Sequence, residues 1–263
     1  MNHRATQSEA PAIGTETVDL SLRLLEFLAL STAPVGLSEL ARHFQASKAT
    51  LHRHLQTLAH HGFVRQEAGT MRYAAGIKLF VLGERLRERF DVLAVARPEM
   101  ARLRDETGHA VTLSALVEDQ VVVLELIQGA SFVNFGTQPG TVLPLHASAH
   151  GKVALAFGPD DLLARCLSRP LKAWTPHTVC TRPALERALA QVRSRGWATS
   201  ANQVLQGVNG LAAPVFGHSG AYAGAIAVAG SVQTVPGSPS AGLVKAVRRA
   251  AAQISRALGY SAQ

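Results

Sequence analysis

A chain of 263 residues with 47% apolar and 17% charged residues can bury two cores of ordinary size, which excludes a wholly disordered protein. Its 26 basic residues outnumber its 18 acidic ones for a formal charge of +8, a balance that suits an anionic partner such as DNA without requiring one. Cys166 and Cys180 offer neither a disulfide framework nor a metal cage, the opening MNHRATQSEAPAIG lacks the apolar run of a secretory signal, and no stretch approaches 18 consecutive apolar residues; the expected setting is the cytoplasm, with no membrane contact.

Residues 1–15 read as a disordered tail. Beyond them Val18, Leu22, Leu25 and Leu28 recur at helical spacing, and Thr15 or Thr17 is placed to cap the helix they define. Ala33-Pro34-Val35-Gly36 breaks it. Ser38 is a candidate cap for a short helix over ELARHF, and Gln45-Ala46-Ser47 forms a tight turn into a third helix, KATLHRHLQTLAHHG. There Leu51, Leu55 and Leu58 share one buried face, which turns Lys48, Ala49, Thr50, His52 and Arg53 outward. Gly62 ends that helix, and FVRQE and MRYAA, joined through Ala68-Gly69-Thr70, form a hairpin carrying basic residues. Helix, helix, turn, helix and hairpin over residues 16–76 make a winged helix-turn-helix domain. From Ser38 to Lys78 the charge is one-sided: Arg42, Lys48, Arg53, Arg65, Arg72 and Lys78 face only Glu39 and Glu67. A helix that opens with hydroxyl and cationic groups suits the major groove of DNA, and Arg65 and Arg72 on the hairpin suit phosphates or the minor groove.

Residues 77–90, IKLFVLGERLRERF, read as a linker helix to a second domain over residues 91–263. VARPEMARLRDETG follows as a helix with Pro98 near its start. AVTLSALV and QVVVLELI, separated by Glu118-Asp119-Gln120, read as an antiparallel hairpin. PGTVLPLH is extended, SAHGKVALAF starts a helix, and TRPALERALAQVRSRG is a helix capped by Thr181 with Pro183 early in it. WATSA, LAAPVF and AYAGAIAVAG read as strands and SPSAGLVKAVRRAAAQISRALG as the closing helix. From Gly196 to Val244 no Asp, Glu, Lys or Arg occurs. Asn202, Gln203, Gln206, Asn209, Pro214, His218 and Gln233 interrupt that stretch too often for a membrane span, so it reads as central strands covered on both faces. The expected class is α+β, with an antiparallel sheet in a sensor-type second domain.

Chemistry-bearing constellations are sparse. His146 and His150 stand four apart, a spacing that can chelate a metal, yet HASAH lacks the glutamate of the zinc motif, and Pro144 with the Gly140 turn puts His146 ahead of the helix; no metal and no cofactor is expected. Gly151-Lys152 is followed by Val153 rather than a hydroxyl residue, which removes a nucleotide-phosphate loop. The helix start from Ala147 to Gly151 is either capped internally by Ser148 or holds a carboxylate on its free N–H groups, and the residues leave the two readings level. Glu118 and Glu125 are either exposed charges or partners of Arg102 or Arg104. His60 and His61 read as solvated helix-end residues. No GxSxG elbow and no carboxylate pair beside a nucleophile occurs, so catalysis is not expected.

From Val18 to Gly259 the chain resembles the IclR-type transcriptional regulators. The match runs through GLSELARHFQASKATLHRHLQTLAHHGFVRQ and YAAGIKLFVLG and, more specifically, through LPLHASAHGKVALA, RSRGWATSANQVLQGVNGLAAPVF and the small-residue strand ending AVAGSV. The resemblance implies a GAF-like effector-binding domain behind the winged domain. It also implies a dimer or tetramer on double-stranded, partly palindromic operator DNA, controlling a catabolic operon in response to a small organic acid. The family's effector pocket maps onto Ala149, His150 and Gly151, onto Ser200 and Gly210, and onto Ala227 and Ala229. Relatives often carry paired acids and a cysteine where ANQVLQGVNG has Asn202, Gln203 and Gly210, so a bulkier, partly apolar carboxylate such as an aromatic acid is expected.

The expectation is a ligand-responsive repressor or activator that reads DNA with Ser47, Lys48, Thr50, His52 and Arg53 of its third helix and Arg65 and Arg72 of its hairpin. The alternative is a small-molecule carrier or enzyme whose winged domain is a protein contact module. Salt dependence separates the two, because phosphate contacts weaken steeply as salt rises.

Overall fold

The computed structural model describes residues 15–87, 91–130 and 137–261. The chain divides into two compact units, residues 1–89 and 90–263. In the first, helices α1 (Glu16–Leu30), α2 (Leu37–His43) and α3 (Lys48–His60) are followed by a hairpin of β1 (Val64–Gln66) and β2 (Tyr73–Ala75) and by α4 (Ile77–Arg87). Leu24, Leu28, Leu40, Leu51 and Leu55 form the core with Val35, Val64 and Tyr73. Each such leucine contributes roughly 1.5–3 kcal/mol through burial.

Two local expectations change in this unit. Val18 and Leu22 are each 55% exposed, and the buried stripe of α1 runs instead through Leu20, Leu24 and Leu28. That rotation brings the Phe27 ring against His43 and Phe44 at the end of α2, 4.3 and 5.6 Å between centroids, a contact the other face cannot make. Ser38 lies inside α2 rather than capping it: Gly36 is the N-cap, and its carbonyl accepts the Glu39 and Leu40 N–H groups. Thr15 occupies the N-cap of α1 without a side-chain bond, whereas Ser47 accepts the Thr50 N–H at 3.1 Å and caps α3. Between α2 and α3 the chain reverses through Gln45 at φ +51°, and after α3 it reverses through Gly62 at φ +77°. The helix-turn-helix is thus closed at both ends by left-handed residues, and Gln45 accepts a conformation that favours glycine.

The second unit contains α5 (Asp91–Thr107), β3 (Ala110–Val117), β4 (Gln120–Ile127), β5 (Val142–Leu143), α6 (Ala149–Phe157), α7 (Leu162–Cys166), α8 (Arg182–Arg195), β6 (Ala198–Thr199), β7 (Val208–Phe216), β8 (Tyr222–Ser231) and α9 (Ala241–Ala257). Among the described residues the strands form one antiparallel sheet in the order β5-β4-β3-β8-β7-β6. Helices α5 and α9 cover one face and α6 the other, with α8 packed on α6. Strand alternation sorts the side chains: Val111 and Leu113 of β3, Ile226 and Val228 of β8, and Leu211 and Val215 of β7 join the core under α5 and α9. The opposite face carries Thr112, Ser114, Ala225, Ala227, Gly210 and Ala212, with Thr112 paired to Ala227 and Ala227 to Ala212. Small residues there let α6 approach the sheet closely.

Several sequence expectations are corrected here. Helix α5 begins at Asp91, so Pro98 is interior, where it removes one i→i−4 bond instead of starting the helix. Only Glu118 and Asp119 link β3 to β4, with Glu118 at φ +53° and Gln120 already paired to Val117. Thr181 occupies the N-cap of α8, but its hydroxyl makes no capping bond. Helix α7 was not anticipated, because five residues are too few to display a helical period. Glu125 pairs with Arg97 at 2.9 Å, while Arg102 pairs with Glu99 and Arg104 with Asp105, each arginine taking the nearer acid on its own helix.

Candidate functional site

On the first unit, α3 presents an outward face. Lys48 and Arg53 are exposed, and among the described residues neither side chain has a hydrogen-bond or ion-pair partner. Ser47 is exposed but occupied as the cap, its Oγ 2.9 Å from Thr50 Oγ1. His52 is half-buried with Nδ1 3.2 Å from the Tyr73 hydroxyl, so its ring turns partly inward; at about 100° per residue it borders the Leu51–Leu55 stripe rather than opposing it. Gln56 and Thr57 are exposed one turn beyond Arg53 and extend this face, a pair that the i+3 and i+4 spacing from Arg53 would have revealed. On the hairpin, Arg65 lies 3.5 Å from Glu67, and Arg72 donates to the Pro34 carbonyl at 2.9 Å with Glu39 3.8 Å away. Exposed pairs of this kind contribute about 0–1 kcal/mol, so a phosphate can displace them.

On the second unit, a cavity of about 100 Å³ opens where the first turn of α6 meets the sheet. Ala149, His150, Ser200, Gly210, Ala227 and Ala229 all line it. Gly151 does not: a Cβ there would stand 2.3 Å from the Leu145 carbonyl oxygen, so its glycine admits a close backbone crossing. Leu143, Val204, Leu205 and Val208 give the cavity an apolar wall.

The polar groups around it are mostly committed. His150 is held between Thr112 Oγ1, 2.8 Å from Nε2, and Ser114 Oγ, 2.7 Å from Nδ1. Burial pushes its pKa down to about 4, so the ring is neutral at pH 7, donating from one nitrogen and accepting at the other. Asn209 accepts the Ser200 N–H at 2.9 Å and donates to the carbonyls of Val235 and Pro236, each at 3.0 Å, which fixes the Ser200 strand end. Ser148 Oγ accepts the Gly151 N–H at 2.9 Å. Among the described residues the Ala149 and His150 N–H groups and the Ser200 hydroxyl have no acceptor. Lys152, one turn along α6, is buried with Nζ donating to the Thr199 carbonyl at 3.0 Å and to Gln203 Oε1 at 2.6 Å. Burial first, and the nearby Arg195 charge second, push its pKa down to about 8. Among the described residues that line the cavity there is no Asp or Glu.

His146 and His150 do not converge, since His146 Nε2 meets the Lys172 carbonyl at 2.9 Å. Among the described residues no group of three or more His, Cys, Asp or Glu is arranged to hold a metal, and no helix is long and apolar enough to cross a membrane.

Residues 85–256 match a family model described as bacterial transcriptional regulator IclR C-terminal, and residues 17–68 match the IclR helix-turn-helix domain. The chain belongs to the IclR family. It is 30% identical over 248 residues, 94% of this chain and 98% of the relative, to the HTH-type transcriptional regulator XynR of Escherichia coli K12. It is 32% identical over 246 residues, 93% and 96% of the two chains, to the glycerol operon regulatory protein of Streptomyces griseus. The IclR structure from Thermotoga maritima superposes with a TM-score of 0.73 at 26% identity, covering 93% of this chain and 99% of that one. An IclR homolog from Microbacterium hydrocarbonoxydans, complexed with 4-hydroxybenzoate, shares the fold with a TM-score of 0.79 at 24% identity, covering 92% and 99%. This IclR-family chain is a DNA-binding transcriptional regulator, and its relatives are named as regulators rather than enzymes.

Proposed function

We propose that this IclR-family regulator reads a partly palindromic operator as a dimer or tetramer in the cytoplasm, through Lys48, Thr50 and Arg53 with Ser47 and His52 on α3 and Arg65 and Arg72 on the hairpin. A small carboxylate bound at the start of α6 changes its grip on the DNA. Control of a catabolic operon is proposed from the names of relatives such as the glycerol operon regulatory protein. Self-association is supported by apolar side chains that the first unit leaves to solvent, including Val18, Leu22, Ile77 and Phe80.

The observation that carries the ligand reading is the trio of unpaired donors, Ala149 N–H, His150 N–H and Ser200 Oγ, beside an apolar wall. Amides at a helix N-terminus hold an anion with the help of the helix dipole, and a hydroxyl across the cavity fixes its orientation. Neutral His150, tied to Thr112 and Ser114, shapes the site rather than charging it. At about 100 Å³ the space is smaller than the ~150 Å³ cavity that accepts benzene, so it favours a compact carboxylate with a short apolar body. An aromatic acid such as the 4-hydroxybenzoate of the Microbacterium homolog requires Val204 and Leu205 to give way.

Two measurements test this. Fluorescence anisotropy on DNA upstream of the chain's own gene and its neighbour is expected to show tight binding over a scrambled duplex, with affinity falling steeply as salt rises. Equal weak binding to both duplexes contradicts the assignment of α3. Calorimetric titration with pyruvate, 3-methylbutanoate and 4-hydroxybenzoate is expected to favour 3-methylbutanoate. Gly210→Ala is expected to weaken it tenfold or more, because the added methyl meets Ala149 and Ser200 at 3.5 and 3.6 Å, without strain. Absence of heat with every acid, or affinities unchanged in both Gly210→Ala and Ser200→Ala, overturns the carboxylate site.

A further inference from the structure

A second cavity, of about 640 Å³, lies at the open edge of the sheet and shares no lining residue with the first. Strand β6 covers β7 only at Leu211 and Ala212, so the edge from Ala213 to Phe216 has no neighbouring strand among the described residues. The space there is flanked by the C-terminal ends of α6 and α8 and by the last turns of α9. Its floor is apolar, with Ala213, Pro214 and Ala251 beside Phe157, Phe216 and Tyr260. The Phe157 and Phe216 rings lie 5.8 Å apart edge to face, and Tyr260 lies 5.2 Å from Phe216.

The rim is cationic. Arg193, Arg195, Arg248 and Arg256 line the cavity and no Asp or Glu does. Among the described residues none of the four meets a carboxylate. Arg193 donates to the Ala156 carbonyl at 3.1 Å, Arg195 to the Trp197 carbonyl at 2.8 Å, and Arg256 to the Ala252 carbonyl at 3.3 Å; Arg248 packs against Gly196. Other arginines of the second unit do meet acids, as Arg97 meets Glu125 and Arg249, beside Arg248 on α9, meets Glu106. Four guanidiniums gathered over an apolar floor repel one another until an anion sits among them, and their planar forks match carboxylate, sulfonate and phosphate geometry.

An added β-strand does not fit this edge. Pro214 has no N–H to offer, and the Phe216 N–H is taken by Ser255 Oγ at 2.9 Å. The volume falls within the ~300–1,000 Å³ of small-molecule sites, and an aromatic floor under a cationic rim selects a flat apolar body with an acidic group. We propose that this cleft is a second ligand site of the regulator, taking an aromatic organic anion independently of the cavity at α6.

The test is a fluorescence titration of the full chain with 8-anilinonaphthalene-1-sulfonate at near-physiological salt, with 2-naphthoate as competitor. Saturable binding at one site is expected, displaced by 2-naphthoate. Arg248→Glu and Arg256→Glu, both at exposed positions, are each expected to raise Kd tenfold or more, while Arg248→Lys retains most of the affinity. Arg187→Glu makes the same charge change on the exposed side of α8 and is expected to leave Kd unchanged. Non-saturating binding, or equal Kd values in Arg256→Glu and Arg187→Glu, overturns the proposal. So does a change of oligomeric state in Arg248→Glu by sedimentation velocity with probe binding intact, which makes the rim an interface between copies.

Discussion

Helix α3 carries Lys48 and Arg53 into solvent without partners among the described residues, whereas the first turn of α6 holds His150 buried between two hydroxyls on the sheet. At α3 the core takes Leu51 and Leu55 with Leu58 packed beside them, and the outward residues are free to suit a partner. At α6 the groups that shape the cavity are themselves core, so stability and recognition draw on the same atoms. A substitution on α3 should therefore change binding without changing stability, and one at the start of α6 should change both.

The largest expected effect is on the buried side. His150→Ala strands the Thr112 and Ser114 hydroxyls and empties a ring's volume, which should cost about 3–5 kcal/mol in urea unfolding. A loss below about 1 kcal/mol would erase the contrast with α3. Acid should act through the same residue. With a folded pKa of about 4 against about 6.5 unfolded, only the unfolded chain takes up the proton between those values. Stability is then full above pH 6.5 and falls by up to about 3 kcal/mol as the pH approaches 4. An NMR titration showing the His150 ring protonating above pH 5 contradicts this.

Lys152 predicts an alkaline limb of opposite placement. Its folded pKa of about 8 lies below the unfolded value near 10.5, so stability should rise by up to about 3 kcal/mol between those pH values in the parent. Comparison with Lys152→Met isolates the effect, since the rise should vanish there. On the exposed side, Arg53→Ala should weaken operator binding by about 1–3 kcal/mol if it reaches a base edge, with the urea midpoint unmoved. Equal operator affinity in parent and variant removes Arg53 from the interface. The smallest effect should come from Tyr222→Phe. The Tyr222 hydroxyl is buried without a hydrogen-bond partner among the described residues, so its removal should stabilise the second unit by about 1 kcal/mol, measured by thermal unfolding.

The winged domain was legible because its signals are local: Leu51, Leu55 and Leu58 set the buried face of α3, the turn through Ser47 leads into it and Gly62 ends it. The face of α1 was misread because Val18–Leu22 and Leu20–Leu24 fit a helical period equally well, and only the contact of Phe27 with α2 separates them. The cavity at α6 was reached through family resemblance rather than through any local pattern. One signal was available: AVTLSALV places Thr112 and Ser114 two apart in an otherwise apolar central strand, which puts two hydroxyls on one buried face and calls for a polar partner opposite. That partner, His150, lies 38 residues from Thr112, and no spacing rule reaches so far.

Composition and periodicity alone determined two domains, a basic helix-turn-helix with its hairpin, and a second domain with an antiparallel hairpin and a charge-free run of strands, because helix and strand periods, caps and turns act over a few residues. The family's own sequence motifs extended that to an effector domain. Tertiary structure alone decided which donors stay unpaired at α6, that Gly151 serves a backbone crossing, and that four arginines from α8 and α9 surround one apolar cleft. Those outcomes depend on where distant segments stop covering one another, and the short pairing of β6 along β7 is a property of the packed sheet, invisible in either strand by itself.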